Sequence, residues 1–125
     1  MAPHILVIED YAPLRDLMRE VLEDIGGYRV TALGDGETAQ PLLLETRFDL
    51  AVLDLGLPGK ISGSDLARAI RTSGINAILF ISGREIAPAD LRPGDRSLRK
   101  PFRMDMLLLE AQALLQQRDR EARAS

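Results

Sequence analysis

The sequence predicts an α/β fold in which a parallel sheet is covered by helices on both faces. Three observations carry this expectation. Short, wholly apolar runs rich in branched residues recur at Ile5 to Ile8, Leu50 to Leu53 and Ala77 to Ile81, the signature of strands buried on both faces. Segments with helical periodicity separate them. Two further strand candidates, the second and the last in the chain, are only weakly apolar, as sheet edges should be.

The first strand, Ile5 to Ile8, is followed by Leu14, Leu17, Met18, Val21, Leu22 and Ile25, whose spacing makes one apolar stripe on a helix. Gly26 and Gly27 end that helix, since glycine just past a C-terminus accepts the left-handed backbone that closes it. Tyr28, Val30 and Ala32 alternate with Arg29 and Thr31 as an edge strand. A second helix is expected over about 38 to 46 with Thr38 as cap, because Pro41 is tolerated only in an opening turn. Leu50 to Leu53 is the third strand, and a third helix runs from Ser64 as cap to about Arg71. Ala77 to Ile81 is the fourth strand. The stretch from Arg84 to Asp95, with Pro88, Pro93 and Gly94, carries so little signal that the helix between strands 4 and 5 is short or absent. Ser97 to Lys100 is the fifth strand, and a last helix spans about Arg103 to Arg118 with Met104, Leu107, Leu108, Ala111 and Leu115 on its core side. The tail 119–125 is expected to fray. Right-handed crossovers place a helix after each strand, and five strands with weak edges fit the flavodoxin-like, doubly wound order 2-1-3-4-5.

Composition bounds the function. At 125 residues the chain suits one domain, 1–125 with a core of about 3–118, and 46% hydrophobic residues suffice for that core. A net charge of −3 from 16 basic and 19 acidic residues leaves no basic stripe, so nucleic acid is not an expected partner. The chain has no cysteine and a single histidine, His4, which excludes thiolate and multi-histidine metal sites. His4, at the start of a strand, is assigned no chemical role. The apolar runs are far too short to span a bilayer, and no basic region followed by an apolar one opens the chain, so a cytoplasmic protein is expected.

In open α/β sheets ligands sit beyond the carboxyl ends of the strands, at the switch point between strands 1 and 3. Glu9 and Asp10 directly follow strand 1, and Asp54 directly follows strand 3. Three carboxylates from neighbouring strands repel one another unless a hard divalent cation with oxygen ligands is present, and Mg²⁺ is the natural one. Strand 4 delivers Ser82 to the same rim and strand 5 ends in Lys100-Pro101. A hydroxyl and an ammonium beside a carboxylate cluster suit phosphoryl transfer, whose charge spreads over three oxygens.

These residues, Glu9-Asp10, Asp54-Leu55-Gly56-Leu57-Pro58, Ser82-Gly83 and Lys100-Pro101-Phe102, resemble the receiver domains of two-component response regulators over roughly Pro3 to Arg118. The resemblance implies that Asp54 is the nucleophile that takes a phosphoryl group from a histidine kinase or histidine phosphotransfer protein. It implies that Asp10, Asp54 and the backbone carbonyl of Gly56 hold Mg²⁺, with Glu9 acting mainly through water. Lys100 would pair with a phosphoryl oxygen, Ser82 would swing to hydrogen-bond it, and the Lys100-Pro101 bond is expected to be cis. Such a module promotes its own phosphorylation without being a turnover enzyme.

The sequence departs from this pattern in three places. Ser97 stands where the family usually has the aromatic switch residue that follows the hydroxyl. The segment from Ser82 to Lys100 is several residues short, and the loop after Pro58 carries one extra residue before Gly63. The alternative function is therefore a degenerate receiver, a protein-interaction module that works without phosphorylation.

Each feature also has a plainer reading. Asp10 alone could cap the first helix, Lys100 alone could be a solvated charge, and Ser82 alone an ordinary turn residue. Gly34-Asp35-Gly36-Glu37-Thr38-Ala39 formally matches the dinucleotide G-x-G-x-x-A pattern, with Asp54 at a suitable distance. A full dinucleotide fold needs more strands, and Pro41 disturbs the required helix. On the last helix, Met106, Leu109 and Ala113 form an apolar flank beside the core stripe, either a wide buried stripe or a face for a partner or a second copy.

Overall fold

A computed structural model describes residues 2–86 and 91–124. It contains five strands, β1 (His4–Ile8), β2 (Arg29–Leu33), β3 (Leu50–Asp54), β4 (Ile78–Ser82) and β5 (Arg96–Arg99), in one sheet of order β2-β1-β3-β4-β5. All four pairings are parallel. The four helices are α1 (Ala12–Glu20), α2 (Gly36–Glu45), α3 (Gly63–Thr72) and α4 (Met104–Ala124).

Alternation along the buried strands splits the core in two. Ile5, Val7, Leu50, Val52, Leu79 and Ile81 point to the face covered by α1 and α4. Leu6, Ile8, Ala51, Leu53, Ile78 and Phe80 point to the face covered by α2 and α3. Every residue of β3 and β4 is buried, whereas β2 is half-buried beyond an exposed Arg29 and β5 is mostly exposed, which matches their central and edge places.

Element ends differ from the sequence expectation where two signals compete. α2 starts at Gly36, not after Thr38, because Asp35 is the cap and its Oδ1 accepts from the Thr38 N–H at 2.7 Å. Pro41 consequently lies inside the helix, where the burial of Gly36, Ala39 and Leu43 accompanies the cap in offsetting the lost Pro41 hydrogen bond. α3 is capped by Ser62, whose Oγ accepts from the Asp65 N–H at 3.0 Å, rather than by Ser64. Gly63 then lies against Leu55, where a Cβ would come within 2.9 Å of backbone.

α1 is prolonged by a π turn over Val21–Ile25, with the Gly26 N–H donating to the Val21 carbonyl at 3.1 Å. The wider turn shifts the helical phase at its end, and Ile25 is 72% exposed although its spacing places it on the buried stripe. Leu17 is also exposed, so Leu14, Met18, Val21 and Leu22 alone carry the stripe. Gly27, at φ 74°, then turns the chain into β2.

No helix occurs among the described residues between β4 and β5, as the short segment predicts; Pro88 lies outside them. The turn 92–95 is fixed instead by Asp95, whose side chain accepts from the Arg92 N–H at 2.7 Å and pairs with both terminal nitrogens of Arg71 on α3. α4 continues through Ala124 rather than ending near Arg118, because Arg118 pairs with Asp49 at 2.6 Å and Gln117 donates to Glu121 at 3.3 Å. Leu114 joins the buried stripe of α4, while Met104 and Leu108 are only half-buried. His4 is structural: its Nε2 lies 2.8 Å from Thr31 Oγ1 and its ring packs on Phe48.

Candidate phosphoacceptor site

The site grows from the strand ends. Register puts Ile8 beside Leu53 and Leu53 beside Phe80, so the residues just past β1, β3 and β4 emerge on one rim. Glu9 and Asp54 are buried and Asp10 is exposed, and an oxygen from each of the three lies within 4.8 Å of the others. The Lys100-Pro101 bond after β5 is cis. Lys100 Nζ stands 3.0 Å from Asp54 Oδ2 and 2.7 Å from Glu9 Oε1. The other Asp54 oxygen, Oδ1, accepts from the Gly56 N–H at 2.9 Å.

Asp10 does not cap α1, whose N-cap is Tyr11 with no side-chain cap bond, so the plainer reading of Asp10 fails. Glu9 Oε2 accepts from the Tyr11 N–H at 3.1 Å. Glu9 Oε1 is buried, with the Lys100 ammonium as its partner. Burial pushes the Glu9 carboxyl above the usual carboxylate range, with Asp54 adding to the shift and Lys100 and the Tyr11 N–H opposing it. Burial would lower the Lys100 ammonium, but Glu9 and Asp54 outweigh it and hold it above the ordinary lysine value.

Ser82 is buried on the same rim. Its Oγ accepts from the Arg84 N–H at 3.0 Å and its carbonyl from the Lys100 N–H at 2.8 Å. A serine hydroxyl that accepts one bond still has its own proton to donate. Ser97 is exposed on β5, in register with Phe80, and Met106 and Leu109 are exposed while Ala113 is half-buried.

The donor set fits a divalent cation. Three carboxylates against one ammonium leave two formal negative charges, all donors are oxygen, and a Mg²⁺ octahedron with bonds of about 2.1 Å spans about 4.2 Å between opposite ligands.

A family model, the response regulator receiver domain, matches residues 5–112. The chain belongs to that family. This receiver domain is 33% identical over 118 residues to aerobic respiration control protein ArcA of Escherichia coli K12, covering 90% of the chain and 48% of ArcA. It is 37% identical over 67 residues to chemotaxis protein CheY of Pseudomonas aeruginosa, covering 54% of the chain and 53% of that protein. The chain spans about half the length of the curated relatives it matches. Among solved structures, a response regulator receiver protein from Sinorhizobium medicae superposes with TM-score 0.84 at 28% identity, covering 92% of the chain and 95% of the other.

Sequence reasoning missed two side chains of this receiver domain. Arg15 donates to the Glu9 carbonyl at 3.0 Å, and Arg71 holds the Asp95 turn. Neither spacing in sequence announces its partner.

Proposed function

We propose that Asp54 is the phosphoacceptor of a two-component phosphorelay, charged in the cytoplasm by a phosphohistidine on a sensor histidine kinase or a histidine phosphotransfer protein. The observation that carries this reading is the convergence on Asp54 of Lys100 Nζ at 3.0 Å and the Glu9 and Asp10 carboxylates. An oxygen of Asp54 bonds to phosphorus as the phosphorus–nitrogen bond of the donor breaks. The electron pair stays on the imidazole nitrogen, which then takes a proton, and the product is an acyl phosphate.

Asp10, Asp54 and the Gly56 carbonyl would hold Mg²⁺, with Glu9 acting mainly through water. When bound, the ion supplies compensation for the charge on the phosphoryl oxygens. Lys100 offers its ammonium to one of those oxygens, and Ser82 turns its free O–H toward another. Such chemistry modifies the domain itself and turns over no separate substrate.

Output then switches partner binding by a route that bypasses strand 5, since Ser97 offers no aromatic rotor and the described residues between β4 and β5 hold no helix. The exposed Met106 and Leu109, flanked by Ala113, form the face for a second copy or a signalling partner. Beryllofluoride with Mg²⁺ tests the reading: amide resonances of the rim should shift in the wild type and not in Asp54→Asn. No shift in the wild type would leave only the phosphorylation-independent interaction module, which the exposed Ser97 favours.

A further inference from the structure

The first glycine of the dinucleotide-like motif 34–39 lies against a charged side chain of α1. β1 stops pairing at Ile8, opposite Leu33, and one more backbone bond extends the pairing, from the Glu9 N–H to the Leu33 carbonyl at 3.0 Å. The Glu9 carbonyl is taken by Arg15 on α1, whose Nη1 donates to it at 3.0 Å. The guanidinium lies over Gly34, where a Cβ would stand 2.9 Å from the same Nη1. Gly34 is not in a left-handed conformation, so what a Cβ there would displace is the end of the Arg15 side chain. Gly36 is a packing position too, with a Cβ meeting Leu66 at 3.2 Å and Ile61 at 3.5 Å.

We infer that Arg15, admitted by Gly34, is a positioning residue for the cation site. The inference rests on the reading that Glu9, Asp10 and Asp54 take Mg²⁺. The peptide joining Glu9 to Asp10 lies past the end of the sheet ladder, and its carbonyl is fixed by the Arg15 guanidinium. Asp10 is exposed, so its carboxylate has no packing of its own to aim it. Holding the peptide plane sets the separation of the two carboxylates before the ion arrives. Removing a group that orients metal ligands typically changes metal affinity by about 10- to 100-fold.

Charge alone predicts the opposite sign. Arg15 is a cation near a cation site, so deleting its charge should tighten Mg²⁺ binding if positioning contributes nothing. The test titrates Mg²⁺ into metal-free protein, read by the fluorescence of Tyr11 beside Asp10, with folding of each variant checked by urea unfolding. Arg15→Gln is expected to weaken Mg²⁺ about 10-fold. Gly34→Ala, which leaves Arg15 chemically intact but crowds it, should weaken binding in the same direction, and should have no further effect in an Arg15→Gln background. Unchanged or tighter binding in folded Arg15→Gln, or equal effects of Gly34→Ala in both backgrounds, overturns the inference while leaving the cation site in place. Absence of any Mg²⁺ response in the wild type overturns the cation site and the inference together.

Discussion

Lys100 Nζ approaches the buried carboxylate of Glu9 to 2.7 Å. The ammonium thus acts as the domain's internal counterion, shared with Asp54 at 3.0 Å. Removing it leaves buried negative charge uncompensated. Lys100→Met is expected to lower metal-free stability by about 1–3 kcal/mol, less than for a fully buried pair because Lys100 is partly exposed. Saturating Mg²⁺ should restore part of the loss. Urea unfolding with and without Mg²⁺ reads both effects.

Repulsion among Glu9, Asp10 and Asp54 makes a second expectation. Asp10→Asn should stabilise the metal-free protein and at the same time abolish most stabilisation by Mg²⁺. In the wild type, Mg²⁺ at 100 times its Kd should add about 2.7 kcal/mol. Thermal melts across a Mg²⁺ series measure this; a wild type whose Tm ignores Mg²⁺ contradicts it.

Arg71 and Asp95 tie α3 to the turn that stands before β5, and the Asp95 side chain is 1% exposed. Asp95→Ala leaves Arg71 and the Arg92 N–H without their acceptor and should cost about 3 kcal/mol. The exposed Arg68–Asp65 pair should give under about 1 kcal/mol on Asp65→Asn. Comparable losses in the two variants would show that the buried turn is not what fixes the segment.

The central strands were legible because Leu50 to Leu53 and Ile78 to Ile81 leave no polar face for any other element. Helix starts were not, because Asp35 and Thr38, or Ser62 and Ser64, offer equivalent capping oxygens and only the packing of Gly36 and Gly63 selects between them. Ile25 misled because a π turn breaks the period that spacing assumes. Convergence of Glu9, Asp10, Asp54 and Lys100 is a consequence of strand order, and so could be read. The Arg15 and Arg71 contacts depend on helix rotation and loop path, which residue spacing does not encode.

His4 carries a pH dependence of its own. Burial and the neighbouring Arg29 hold its imidazole below the ordinary value, with Asp49 opposing. The unfolded chain therefore binds a proton more readily than the native one below about pH 6.5. His4's contribution is fully present above that pH and declines as pH falls through the native value. The stability difference between wild type and His4→Gln should shift against the wild type between pH 7.5 and 5.5; a constant difference would show that His4 titrates alike in both states.

The most direct test of the phosphoacceptor role is intact mass after incubation with acetyl phosphate and Mg²⁺. A phosphoacceptor at Asp54 predicts a gain of one phosphoryl group in the wild type, none in Asp54→Asn, and none when the metal is chelated. A wild type that gains no mass, or an Asp54→Asn variant that gains it equally, would contradict it.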